Sequence, residues 1–226
     1  MIFYTVNAGL YFYDGESGVL IDGLHEGAKV GFSDMPEILR GQMRRHAGYF
    51  EKDNLYLFTH EHPDHFSAER LEELLTADPA APVWSPLRRI NFRADGSFSF
   101  HAWHVDMLPA VHDGSAYADV PLYSCLLQGT QGAYLIVSDA ILTRRLAELT
   151  LTRVRQPLDA AFVNFYQLFS QEGREALQLL RPKKICLYHL PFERDDRLRI
   201  WRLSRRAAEK FGGEMPVALL QPMTVL

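Results

Sequence analysis

Cysteine is scarce in this sequence, with Cys125 and Cys186 the only two among 226 residues. Each is set in an apolar stretch that reads as a buried strand, which excludes a disulfide framework and fits a reducing compartment. Long hydrophobic runs are missing, so no segment is long enough to cross a bilayer. Met1 to Tyr13 alternates apolar and polar residues, without the basic flank, apolar run and small-residue cleavage site of a signal peptide. The expected location is the cytoplasm, with no membrane partner. Internal repeats, low-complexity tracts and linker-like stretches are also lacking, so residues 1–226 read as a single domain. With 47% hydrophobic and 23% charged residues, neither disorder nor a fibrous structure is expected.

A large net charge is lacking as well, but the value of −4 conceals an asymmetry. Residues 1–139 carry 9 basic and 19 acidic side chains, and residues 140–226 carry 15 and 9. A nucleic-acid partner is disfavoured, because phosphate contacts supply most of such affinity and only one segment is basic. Bound metal ions would offset part of the acidic charge, since some of those carboxylates read as ligands.

Periodicity gives a mixed order of elements. Short strands open the chain at Ile2 to Val6, Leu10 to Tyr13 and Gly18 to Asp22, with Asp14-Gly15 marking a hairpin turn. A helix is expected around Met35 to His46, a strand at Leu55 to Thr59 and a helix at Ser67 to Thr76. A second run of strands follows at Trp84, Phe98-Ser99-Phe100, Val105 to Val111, Leu122 to Leu127 and Ala133 to Val137. Helices at Ile141 to Leu149 and Gln171 to Leu180 then alternate with strands at Ala160 to Phe165 and Lys184 to Tyr188. A long helix from Glu193 to Phe211 and a strand near Val217 to Leu220 complete the chain. Two groups of strands with helices between and after them predict an α/β fold, a four-layer αββα sandwich of two mixed sheets with helices on the outer faces.

The polar residues sit where the strands stop. His60, His112, Asp139 and His189 each lie at or just past the C-terminal end of an expected strand, where sites collect. The segment Thr59-His60-Glu61-His62-Pro63-Asp64-His65 puts three histidines and an aspartate into six residues after a strand. Alternating His60 and His62 point the same way from an extended segment and can share one ion, whereas Asp64 and His65, at the turn into a helix, can serve a neighbouring ion. Imidazole and carboxylate ligands suit zinc and similar borderline cations, which take four or five, so one loop leaves both ions short and further ligands must come from downstream. His112, Asp139 and His189 are the candidates.

This pattern resembles the metallo-β-lactamase superfamily, whose hallmark is a His-x-His-x-Asp-His loop followed by a His, an Asp and a final His on successive strand ends. The resemblance spans essentially the full chain. It implies that His60, His62 and His112 bind one metal, that Asp64, His65 and His189 bind the other, and that Asp139 bridges them. An aspartate at the bridging position, where the commonest antibiotic-cleaving members carry a cysteine, makes β-lactam hydrolysis an unexpected task. The short stretch between Asp139 and His189 leaves no room for the large inserted domain of the nuclease branches. The implied activity is that of a dinuclear hydrolase cleaving a small ester, lactone or phosphodiester with a metal-bridging hydroxide that Asp64 orients. Zinc is the default metal, with manganese or iron as alternatives.

Other residues have plainer readings beside functional ones. His25, after Asp22-Gly23-Leu24, is a candidate proton donor or a surface-turn histidine. Tyr166 is a candidate hydrogen-bond donor to an oxyanion, or ordinary core. Asp22 is read as the partner of a ligating histidine or as a turn former. His101 and His104, three apart in an extended stretch, should face opposite ways and are read as non-ligands. Arg199, Arg202 and Arg206 share a face of the last helix, a solvated row or an attractor for an anion or a second subunit, so a homo-oligomer is conceivable. The rival functions are an iron-dependent oxidoreductase of the sulfur-dioxygenase-like kind on the same fold, and a non-catalytic metal-binding protein.

Overall fold

The computed structural model describes residues 1–92 and 96–226. The chain divides into two compact units, one formed by Met1–Arg93, Leu190–Leu198 and Gln221–Leu226, the other by Ala94–His189 and Arg199–Leu220. Each contains one mixed seven-stranded sheet with its helices. The expected α/β class and pair of mixed sheets are therefore present.

In the first unit the first six strands are β1 (Ile2–Tyr4), β2 (Leu10–Tyr13), β3 (Ser17–Ile21), β4 (Asp53–Leu57), β5 (Val83–Trp84) and β6 (Arg89–Ile90), with α1 (Glu37–Arg44) before β4 and α2 (Ala68–Ala77) after it. β1 to β3 form an antiparallel meander, turned at Gly15, where a φ of 111° favours glycine. β3, β4 and β5 are parallel, and each parallel step is spanned by a helix, as the geometry of parallel pairing requires. The apolar face of this sheet packs Phe3, Tyr11, Leu20, Tyr56 and Val83 against Leu39 and Met43 of α1 and Leu71 and Leu74 of α2. Ser67 caps α2 by accepting from the Arg70 N–H at 3.2 Å.

The second unit holds β7 (Ser97–Phe100), β8 (Trp103–Ala110), β9 (Leu122–Gly129), β10 (Gly132–Ile136), α3 (Arg144–Arg153), β11 (Ala160–Val163), α4 (Tyr166–Phe169), α5 (Gln171–Leu180), β12 (Ile185–Leu187), α6 (Ile200–Phe211) and β13 (Val217–Leu219), in the sheet order 13-12-11-10-9-8-7. β7 to β10 are antiparallel and β10 to β13 parallel. Two antiparallel steps separate β8 from β10, so β8, β10, β11 and β12 run the same way and their C-terminal ends lie along one edge. Leu126, Leu135, Ala161, Val163 and Leu187 of the sheet join Leu146, Leu177 and Phe211 of the helices in this unit's core. The chain ends with β14 (Thr224–Val225), which pairs with β1. Among the described residues no helix is long and apolar enough to cross a membrane.

Three expectations need correction. The helix foreseen at Ile141 to Leu149 starts at Arg144, capped by Thr143, because the Leu142 N–H is held by the side-chain oxygen of Gln167 at 3.1 Å. The long helix from Glu193 is broken: Glu193–Asp195 is a 3-10 turn, and Arg199 is left-handed with φ 59°, so α6 begins only at Ile200. The row of Arg199, Arg202 and Arg206 therefore loses its first member. His101, foreseen in an extended stretch, sits with φ 49° in the turn joining β7 to β8.

Candidate metal ligands

In the first unit, β4 releases the chain at Leu57, and Phe58 and Thr59 lead into the histidine-rich loop. A turn follows at Pro63, whose fixed φ suits it, with the N–H groups of His65 and Phe66 both donating to the His62 carbonyl at 2.9 and 2.8 Å. His60 and His62 converge, with Nε2 of one 3.1 Å from Nδ1 of the other. His65 Nε2 lies 3.9 Å from Asp64 Oδ2. The loop thus presents two donor pairs, His60 with His62 and Asp64 with His65.

Asp22, at the end of β3 and with 0% of its surface exposed, organises both pairs. One oxygen accepts the Thr59 N–H at 2.7 Å; the other accepts the Thr59 hydroxyl at 2.6 Å and His65 Nδ1–H at 2.9 Å. Since the Thr59 proton is committed to Asp22, its oxygen accepts from His60 Nδ1–H, 3.1 Å away. Both ring tautomers are thereby set, with Nδ1 as the donor in His60 and His65 and Nε2 as the candidate ligand atom. Two imidazole nitrogens facing each other as His60 and His62 do repel unless a proton or a cation lies between them.

Glu61, between the two histidines, is gripped from the turn that joins Val83–Trp84 to Arg89–Ile90. Its carboxylate accepts from Ser85 Oγ at 2.7 Å and from Arg88 Nε and Nη2 at 3.0 and 2.5 Å, while the Arg88 guanidinium lies 4.6 Å from the centre of the Phe66 ring. This bidentate clamp fixes both ends of the loop. Sequence reasoning passed over Glu61 and Arg88, since their 27-residue separation gives no local signal; Thr59, which adjoins His60, could have been found.

In the second unit the candidate ligands come from three strand ends. An isolated bridge from His112 to Ala140 and the Asp113 N–H to Asp139 carbonyl bond of 2.8 Å carry the end of β8 to the end of β10. Asp139 divides its carboxylate: Oδ2 lies 3.9 Å from His112 Nε2 and Oδ1 3.5 Å from His189 Nε2. His112 Nδ1–H donates to the Asp113 carbonyl at 2.6 Å, which again makes Nε2 the candidate ligand atom. Asn164, at the end of β11, donates to Asp139 Oδ1 at 2.8 Å and to the Ser138 carbonyl at 3.2 Å.

The backbone is left-handed at Asp22, Ser138 and His189, with φ of 50°, 60° and 62°. Asp22 follows β3, Ser138 follows β10 next to Asp139, and His189 follows β12. Such a conformation costs a non-glycine residue about 1–2 kcal/mol and turns the chain sharply out of the strand.

The remaining candidates are more varied. His25 is buried, not a surface-turn residue, with Nδ1 3.4 Å from the Asn7 side-chain amide. Tyr166 opens α4; its hydroxyl accepts from Asn164 at 3.2 Å and donates to the Ala140 carbonyl at 3.5 Å. Burial and the nearby Asp139 charge hold this phenol well above its ordinary pKa, so it stays protonated and able to donate. His104, on β8, lies 3.3 Å from Asp106 and 3.0 Å from Arg155. Among the described residues neither Cys125 nor Cys186 is in a disulfide; both are buried, and burial pushes the Cys186 thiol up to about 11.

No family model matches the sequence, and no curated protein does. Solved structures do. An isothiocyanate hydrolase from Delia radicum gut bacteria aligns over 99% of this chain and 97% of its own at 14% identity, with a TM-score of 0.69. The metallo-β-lactamase fold protein YhfI of Bacillus subtilis aligns over 98% and 91% at 13% identity, with a TM-score of 0.63. CmlA, a diiron β-hydroxylase of Streptomyces venezuelae, is matched over 98% of this chain but 52% of its own at 15% identity, with a TM-score of 0.60. At such identities the likeness is one of architecture, and with the strand order above it establishes that this chain has the metallo-β-lactamase fold.

Proposed function

We propose that the chain is a metal-dependent hydrolase in which His60, His62, His112 and Asp139 hold one divalent ion and Asp64, His65, Asp139 and His189 hold a second. The observation that carries this reading is the Asp139 carboxylate, each oxygen turned to a different imidazole, alongside the two donor pairs of the histidine-rich loop. Donors of this kind fit zinc first, with manganese or iron as alternatives. When bound, such ions polarise a substrate oxygen and bring the pKa of a water toward neutrality.

The chain's own residues supply the rest. Asp64 has a second carboxylate oxygen with which to orient a nucleophilic water. Asn164 holds Asp139 in place. Tyr166, kept neutral, is an oxyanion donor near the end of β11, and His25 is a proton donor for the leaving group. In this reading the protein is a single-domain cytoplasmic enzyme acting on a small ester, lactone or phosphodiester. Isothiocyanates join that panel because a protein of the same fold hydrolyses them.

The test is metal content per chain by elemental analysis of protein purified without chelator, set beside a His62→Ala, His189→Ala double variant. Two zinc or manganese ions in the parent and their loss in the variant are expected, with hydrolysis of at least one member of the panel. A protein without metal sinks the reading, and one tightly held iron with oxygen consumption replaces it with oxidative chemistry.

A further inference from the structure

The first unit contains a cavity of about 650 Å³, within the usual size of small-molecule sites. One wall is the segment 28–37 and the other the segment 192–197. Both walls are tied to ligand-bearing chain. The Glu26 N–H donates to the Pro63 carbonyl at 2.8 Å, next to Asp64, and Leu190, which follows His189, accepts the Asn7 N–H at 2.9 Å. Ser33 links one wall to the other, donating to Asp195 at 2.7 Å and accepting the Phe192 N–H at 2.9 Å.

Apolar and charged residues share the lining. Phe32, Met35, Phe192 and Met223 offer apolar surface. Beside the cavity the apolar side chains of Val30 and Leu198 are 43% and 54% exposed, and Leu198 adjoins Gly31 of the wall. Exposed apolar groups gathered at a concave surface mark a ligand groove.

The charges are unequally committed. Asp34 accepts the Ala28 N–H at 3.0 Å, Asp195 accepts the Ser33 hydroxyl, and Glu37 is paired with Arg40 and Arg44. Arg194 lies over the Phe192 ring, with Nε 3.8 Å from Asp195. Arg197 lines the cavity and makes no ion pair among the described residues. Its planar fork of donors is suited to a carboxylate or another oxyanion.

We propose that this cavity binds an apolar small molecule bearing an anionic group, with Arg197 taking the anion and Phe32, Phe192 and Met35 the apolar part. Resting on the hydrolase reading, this names the substrate class: an ester, lactone or related compound whose non-reacting end is an apolar group with a carboxylate or similar anion.

Isothermal titration with octanoate and with 1-octanol tests it, on the parent, Arg197→Gln and Phe192→Ala proteins, each with metals present and after chelation. Octanoate is expected to bind the parent at least about tenfold more tightly than octanol, as a charged hydrogen-bonded contact provides. Arg197→Gln should erase that preference, and Phe192→Ala should weaken both ligands. Retention of the preference in Arg197→Gln overturns the proposal, as does failure of the parent to bind octanoate. If octanoate binding vanishes with the metals and ignores Arg197, the anion sits on the ions; the cavity assignment then falls while the metal reading stands. If the protein proves metal-free yet binds octanoate through Arg197, the cavity stands and the hydrolase reading falls.

Discussion

The two units build their donor groups by opposite routes. In the first, four candidate ligands fall within six residues, so a single strand exit, a turn at Pro63 and one buried carboxylate, Asp22, place them all. In the second, His112, Asp139 and His189 are spread over 78 residues of chain and meet only because β8, β10 and β12 end along the same edge of one sheet. A local set has one point of failure, whereas a dispersed set is held by the whole sheet and is tuned at each member separately.

The sharpest way to break that comparison is at Asp22. Replacing it with alanine leaves the Thr59 N–H and hydroxyl and the His65 ring N–H without their acceptor, inside the core. A loss of about 3–5 kcal/mol in urea unfolding is expected, the usual cost of removing one partner of a buried pair. Asp22→Asn keeps an acceptor and a side chain tolerant of left-handed backbone, so its loss should be clearly smaller. Equal stability of the alanine and parent proteins would remove Asp22 as the organiser of the loop.

In the second unit the equivalent change is milder for the fold. Asn164→Ala withdraws the donor that fixes Asp139 but leaves every strand paired. We expect metal affinity to fall about 10–100-fold, as for other supports of ligating groups, with a stability loss nearer 1–3 kcal/mol for the buried bonds removed. Competition with a chelator measures the first and urea unfolding the second. An Asn164→Ala protein that held metal as tightly as its parent would show that the sheet edge alone fixes Asp139.

Smaller again is Arg88→Gln, which opens the clamp on Glu61. Because Arg88 is 37% exposed, the lost pairing is worth about 1 kcal/mol or less. Metal affinity at the loop should drop less than it does in Asn164→Ala, and Arg88→Lys should restore only part of it, since lysine lacks the planar fork. Smallest is thiol labelling, which reads the second unit alone because both cysteines lie in its strands. With the Cys186 thiol pushed up to about 11, native labelling by iodoacetamide at pH 8 should be slow and become rapid only in urea. Fast native labelling would mean that β9 or β12 opens readily.

The same contrast explains what could be read without the fold. The His60-to-His65 loop was legible because turn chemistry and alternation act over a few residues, and Asp22 was read as a partner of a ligating histidine or a turn former. The assignment of Asn164 to Asp139 and the clamp from Arg88 to Glu61 were not, since each joins residues about 25 apart through strand order, which leaves no periodic trace. The break in the terminal helix escaped notice because an arginine-rich run keeps its helical spacing on paper; the left-handed turn at Arg199 is a conformation that arginine does not advertise.

By itself, then, the sequence determined the class of fold and the donor types, because hydrophobic periodicity and ligand chemistry are properties of residues and their near neighbours. Only the tertiary structure decided that the two oxygens of Asp139 face different histidines, that Asp22 sets two imidazole tautomers at once, and that Arg197 lines a cavity instead of a helix face. Those are matters of direction, and direction comes from strand ends and left-handed turns brought together across the chain.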